Sequence, residues 1–166
     1  MLDFYFIGTS GKVPQPHRRL TSAMVRADGD IILIDAGEGT QMGISSSGWT
    51  AKSISTILIT HLHADHVLGL AGVLLQIHNS CRTERVIIAG PKGIRRYVNS
   101  LYLVLPTLKF PIYFIELTGE SDFILTNTLE IDAFRLNHSI SCYGYSFYLR
   151  HVGKFDVEKA KSVPKR

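Results

Sequence analysis

The stretch Thr60-His61-Leu62-His63-Ala64-Asp65-His66 gathers three imidazoles and a carboxylate within six positions. It follows residues 54–60, which read as a strand, and opens residues 64–78, whose Val and Leu spacing predicts a helix. On extended backbone alternate side chains point the same way, so His61 and His63 can aim at one point. The turn into the helix then redirects Asp65 and His66 toward a neighbouring point. That geometry suits two metal ions in one cleft. Imidazole nitrogen and carboxylate oxygen are ligands that zinc accepts, and a site with an open position lets a bound water ionise near neutral pH. The chemistry implied is hydrolysis. The competing explanation, surface histidines at a helix start with Asp65 as N-cap, needs four ligand-type side chains to fall between two apolar segments by accident. The four divide between two sites, so a further histidine must complete the first. His138, at the end of a predicted strand over 128–136, is best placed, whereas His17, His78 and His151 lack comparable placement.

The elements that must position these groups are legible as an alternation. Residues 2–7 read as a strand, broken by Gly8-Thr9-Ser10-Gly11 into a loop with Pro14, Pro16, Arg18 and Arg19. Strands over 22–26 and 31–35 form a hairpin across Asp28-Gly29, a strong two-residue turn signal. A short helix follows Gly37-Glu38-Gly39, through Met42. After the histidine segment come a strand over 86–89, a Gly-Pro turn and a helix from Gly93 to about Leu101. Strands over 112–117, 123–125, 128–136 and 144–150 then dominate, with one or two helical turns over 157–161. Strands meander at both ends, unlike the strict alternation of a doubly wound sheet. There is no internal repeat, low-complexity segment or interdomain linker.

A chain of 166 residues is about one domain's length. With 45% hydrophobic and 19% charged residues and a mean hydropathy of +0.12, it is too apolar for disorder and too punctuated for a membrane protein. Apolar runs such as 31–34 and 67–77 are shorter than the roughly 18 residues of a membrane span, and no basic segment precedes an apolar one at the N-terminus, so neither secretion nor insertion is expected. Two cysteines, Cys81 and Cys142, stand far apart without a CxxC motif, which fits a reducing cytoplasm. Residues 1–149 balance 12 Lys/Arg against 12 Asp/Glu, while residues 150–166 hold 6 against 2 and carry the whole +4 excess. That basic tail suits an acidic partner such as nucleic acid, and equally an ordinary solvated end.

His61-Leu62-His63-Ala64-Asp65-His66 resembles the H-x-H-x-D-H signature of the metallo-β-lactamase superfamily, whose members build a two-metal site at the edge of an αββα sandwich. Further segments resemble ribonuclease Z, the tRNA 3′-processing endonuclease family. These are Phe6-Ile7-Gly8-Thr9, Pro14 through Arg18 to Thr21-Ser22, Asp35-Ala36-Gly37-Glu38-Gly39-Thr40-Gln41, Gly69-Leu70, Gly90-Pro91-Lys92-Gly93, and Phe134-Arg135-Leu136 with His138 and Gly144. The resemblance runs in register along nearly the whole chain.

It implies an α/β fold that is the N-terminal half of a metallo-β-lactamase αββα sandwich over residues 1–150, with 151–166 the start of a truncated tRNA-binding arm. It implies that His61, His63 and His138 hold one zinc ion and Asp65 and His66 the other, with Asp65 also the general base. Asp35 would support the loop beneath the metals without ligating, and Arg18 would approach the RNA 3′ end. The implied activity is zinc-dependent removal of the 3′ trailer of precursor tRNA. The same motif also serves hydrolases of other phosphodiesters and esters, and a half-length chain could be a silent assembly partner. The family's bridging aspartate, its last zinc histidine and the histidine that assists the leaving group belong to the half not represented here. A lone half is expected to expose Val, Leu and Ile from several strands, and so to associate with a second copy or a complementary chain.

Overall fold

The computed structural model describes residues 2–126 and 128–149. Six strands form the first sheet in the order β1 (Leu2–Gly8), β2 (Ser22–Ala27), β3 (Asp30–Ile34), β4 (Ile54–Leu58), β5 (Val86–Pro91), β6 (Ile112–Leu117). β1, β2 and β3 pair antiparallel, whereas β3 through β6 run parallel. The second sheet is an antiparallel meander of β7 (Ser121–Leu125), β8 (Leu129–Leu136) and β9 (Cys142–Leu149). Helices α1 (Thr40–Ser46), α2 (Ala64–Val67), α3 (Leu70–Asn79) and α4 (Ile94–Leu101) complete the chain, with a 3-10 turn at Ala51–Ser53. Among the described residues no helix is long and apolar enough to cross a membrane. The basic tail and the helical turns expected over 157–161 lie outside the described residues.

Two cores produce three layers. Leu33, Ile57 and Ile88 of the strands, with Ile59 just past β4, pack against Ile44 of α1, Leu70, Val73, Leu74 and Ile77 of α3, and Ile94 and Val98 of α4. The alternate residues Val25, Ile32, Leu58 and Ala89 face Ile124, Leu129, Ile131, Ala133 and Tyr143 of the second sheet. A parallel sheet buried on both faces needs near-continuous apolar strands, and β3 and β5 have them. The outer face of the second sheet is another matter. Phe123, Leu125, Phe134, Leu136 and Tyr148 are 40–54% exposed there, and Phe4 and Phe6 protrude from β1. The expected Val and Ile are not among them, because those residues are consumed by the two internal cores.

The hairpin turn has Asp28 and Gly29 both at positive φ, 47° and 93°, the twist that matches two antiparallel strands. The helix expected over 64–78 is two helices, broken at Leu68-Gly69. The cause is tertiary: Gly69 N–H donates to Ala36 O at 2.8 Å, and a Cβ on Gly69 would overlap the Gly37 carbonyl oxygen. Helical periodicity cannot report such a backbone-to-backbone approach. Gly69→Ala is therefore expected to destabilise the chain by about 1–3 kcal/mol, read as a lowered melting temperature. An unchanged melting curve would show that the loop can yield.

Strand β4 also ends two residues before the expected Thr60. Ile59 N–H still bonds Ala89 O at 2.8 Å, but Thr60 O accepts from Tyr143 N–H at 2.9 Å. That bond ties the first sheet to the start of β9 and sets the β8–β9 loop over the carboxyl ends of the parallel strands. Asp35 follows β3, the histidine segment follows β4 and Lys92-Gly93 follows β5, so one edge of the sheet collects them, as open α/β sheets collect their ligand groups.

Candidate metal centre

His61 and His63 lie on the extended link between β4 and α2, and His63 keeps extended backbone (φ −72°, ψ 149°) as the residue before the helix. His138, 75 positions further on, arrives from the β8–β9 loop. The ring centroids of the three lie 4.7–5.1 Å apart, and one nitrogen from each falls within 4.8 Å of the others. His138 Nε2 and His63 Nδ1 are 3.3 Å apart. Two nitrogens on one tetrahedral zinc at about 2.0–2.1 Å are separated by roughly 3.3–3.4 Å, so that pair already has ligand spacing and the third ring needs only a small closing motion. His61 is buried, His63 half-buried and His138 exposed, which leaves the cluster open to solvent on one side. Lys12, His61, His63, Asp65, His66 and His138 line a cavity of about 570 Å³.

Asp35 organises this cluster from beneath. It is 2% exposed, sits at φ 56°, a region Asp tolerates better than most residues, and its N–H donates to Leu58 O at 2.8 Å. Thr60 N–H reaches Asp35 Oδ1 at 2.8 Å, Thr60 Oγ1 reaches Oδ2 at 2.8 Å, and His66 Nδ1 reaches Oδ2 at 2.7 Å. A carboxylate only accepts, so His66 Nδ1 carries the proton and the Thr60 hydroxyl donates to Asp35. Thr60 Oγ1 is also 2.9 Å from His61 Nδ1. With its hydrogen already committed, it accepts from His61 Nδ1–H. In its neutral form each ring therefore presents Nε2 as a lone-pair donor, the form a metal requires. Asp35, expected from the sequence to support the loop, contacts Thr60 and His66. Thr60 had no role assigned from sequence, and only its position before His61 could have drawn attention to it.

The charge state of His61 suits ligation, whereas His66 holds a second proton more readily than an ordinary imidazole. Burial first, and the neighbouring His66 second, push His61 down to about 4, so it is neutral at physiological pH. Burial acts to lower His66, but the hydrogen bond and charge of Asp35 outweigh it and leave the ring above its ordinary value. The N–H of Lys12, 2.8 Å from Asp65 Oδ2, holds that carboxyl below its usual range. Asp65 Oδ2 is 3.9 Å from His66 Nε2, so these two groups face a point beside the three-histidine cluster. Lys12 was not identified from sequence, since its contribution is a backbone amide that any residue type offers.

The remaining expected residue lies apart. Arg18 donates from Nε to Thr9 Oγ1 at 3.0 Å and from Nη2 to Thr9 O at 2.9 Å, bracing its own loop. It lines a separate cavity of about 420 Å³ with Pro14, Pro16, His17, Arg19 and Glu38. His78 is likewise remote, its Nδ1 accepting from Lys109 N–H at 3.3 Å. His151 lies outside the described residues.

Comparison with known proteins places this geometry. The chain is 49% identical over 163 residues to ribonuclease Z of Lachnospira eligens, covering 98% of this chain and 54% of that protein. It is 46% identical over 160 residues to ribonuclease Z of Lachnoclostridium phytofermentans, covering 96% and 53%. The chain thus spans about half the length of the curated relatives it matches. Among solved structures, human tRNase Z, short form (ELAC1), superposes with a TM-score of 0.81 at 30% identity, over 90% of this chain and 65% of that one. The metallo-β-lactamase fold protein YhfI from Bacillus subtilis superposes with a TM-score of 0.72 at 14% identity, over 89% and 57%. The fold is that of the metallo-β-lactamases, represented in part. Residues 2–155 match the family described as Anti-Pycsar protein Apyc1, more than half of the sequence, and the chain belongs to that family.

Proposed function

We propose that this chain supplies the metal-binding half of a cytoplasmic, zinc-dependent endoribonuclease that removes the 3′ trailer of precursor tRNA. The observation that carries the reading is the meeting of His61, His63 and His138 beside Asp65 and His66, in a chain so similar to ribonuclease Z. The donor set fits two zinc ions, His61, His63 and His138 for one and Asp65 and His66 for the other. When bound, such a metal pair supplies Lewis-acid and water-activating chemistry for phosphodiester hydrolysis. The chain's own residues do the rest. Asp65 accepts the proton of the attacking water at its carboxylate. Asp35 holds His66, and through Thr60 also His61, in the ligating tautomer. Arg18 uses two of its five guanidinium N–H groups on Thr9, and the others are available to a phosphate near the RNA 3′ end. The uncovered apolar residues of the second sheet seat a second copy, as a homodimer, or a complementary chain.

A second reading keeps the metals and changes the substrate to another phosphodiester or ester. It draws on the family match, whose description is distinct from ribonuclease Z. A third makes the chain a catalytically silent assembly partner. One experiment separates them. The purified chain, zinc-loaded, is assayed on precursor tRNA and on a chromogenic phosphodiester, alone and joined to the other half of the Lachnospira eligens enzyme. Near-background cleavage is expected alone, and chelator-sensitive trailer removal when joined. Asp65→Ala in the joined form should lower turnover by about 10²–10⁴-fold, with little change in tRNA binding. Hydrolysis of the small ester with tRNA untouched would favour the second reading, and no turnover of either the third.

A further inference from the structure

Helix α4 begins one strand over from the histidine segment, on the same edge of the parallel sheet. One hydrogen bond and one close backbone approach relate it to the metal centre. Tyr97 Oη donates to Val67 O at 2.9 Å, and Val67 ends the short helix that carries Asp65 and His66. A Cβ on Gly93, just before α4, would lie 3.3 Å from Leu62 Cδ1, and Leu62 stands between His61 and His63. The buried side of α4 is apolar, with Ile94 and Val98 fully enclosed. Its outer side is not. Lys92, Arg95 and Arg96 are all exposed there, and the Arg95 guanidinium is stacked over the Phe114 ring at 5.1 Å. A single carboxylate intervenes. Glu116 Oε1 accepts from Gly93 N–H at 2.7 Å and from Arg95 N–H at 3.4 Å, so it satisfies the amides of the helix start. The helix end is therefore already capped by a negative charge, and any attraction for an anion comes from the three side chains and not from the helix dipole.

We propose that Lys92, Arg95 and Arg96 form a phosphate-binding ridge that holds the RNA backbone as it passes the metal centre on the Leu62 side. The proposal rests on the ribonuclease reading above and deepens it. Three cations along little more than one helical turn complement a polyanion with a charge every 1.7 Å or so of duplex axis. Because the Tyr97 hydrogen bond ties α4 to the helix that carries Asp65 and His66, the ridge is held in place beside that segment, as a strand-positioning element must be. These groups contact phosphates, not bases, so they set register and carry no sequence preference.

The test measures binding of precursor tRNA to the full chain across 50–200 mM salt. It compares the unsubstituted protein with Lys92→Ala/Arg96→Ala and with Lys52→Ala/Arg85→Ala. The second pair removes the same charge from exposed residues at the opposite edge of the sheet. Each lost phosphate contact lowers the slope of log affinity against log salt by about 0.7–0.9, so the α4 pair should shrink the affinity ratio between those salts about tenfold. The control pair should leave it nearly unchanged, and zinc uptake should be equal in all three. Equal losses from both pairs, or none from the α4 pair while the unsubstituted chain binds, would overturn the ridge and leave the ribonuclease reading standing. Failure of the unsubstituted, zinc-loaded chain to bind precursor tRNA would remove both.

Discussion

Zinc added to the metal-free chain is expected to raise its melting temperature, and His138→Ala to remove most of that rise. A ligand that binds only the folded state stabilises it by about 2.7 kcal/mol at a hundredfold excess over its dissociation constant, and a domain of this size converts each kcal/mol into roughly 2–4 °C. Dividing the apparent affinity of four-ligand zinc sites, about 10–16 kcal/mol, evenly among their ligands assigns roughly 3 kcal/mol to each, or about a hundredfold in affinity. His138 isolates this effect because it is exposed on a loop, where its ring packs edge-on to those of His61 and His63. Its removal should change the stability of the metal-free chain by no more than about 0.5 kcal/mol. Calorimetric titration with zinc gives the same comparison without heating. An unaltered zinc affinity in His138→Ala would show that His61 and His63 find their third ligand elsewhere.

Asp35→Ala should produce the largest loss of stability of any single change near the site. Three donors converge on that carboxylate: the Thr60 amide, the Thr60 hydroxyl and His66 Nδ1. Removing it leaves them unsatisfied in a buried setting and asks alanine to hold φ at 56°. The expected cost is about 3–5 kcal/mol, or a fall of at least roughly 6 °C in melting temperature. Asp35→Asn separates support from packing. It keeps the shape and tolerates the backbone, but it replaces one acceptor with a donor, so either Thr60 or His66 must face a like group. Metal affinity should then drop by about 10–100-fold, with a smaller loss of stability than in the alanine variant. Zinc bound by Asp35→Asn as tightly as by the unsubstituted protein would mean that the carboxylate does not govern the ring tautomers.

Much of this was legible in the order of residues. The strands β1, β2, β3 and β6 stand where alternation and turn residues put them, since side-chain period and the Asp28-Gly29 turn are local properties. The histidine segment stood out because four ligand-type side chains, three His and one Asp, fall between two apolar runs. His138 was reached by elimination among histidines, and its meeting with His63 depends on the bond between Thr60 and Tyr143 that joins the sheets.

What the sequence by itself determined is therefore local: where ligand-type side chains gather, which stretches extend or coil, and that Asp35 lies where a strand gives way to a loop. The tertiary structure alone decided that Gly69 must interrupt a helix to pass the Ala36–Gly37 backbone, that the Lys12 amide reaches Asp65, and that Thr60 links Asp35 to His61. It also decided that α4, with Arg95 and Arg96, starts on the same edge of the sheet as the histidine segment. Each of these is an encounter between segments far apart in sequence, set by sheet order and register. Period and composition describe one segment at a time, so they hold no record of which segments meet.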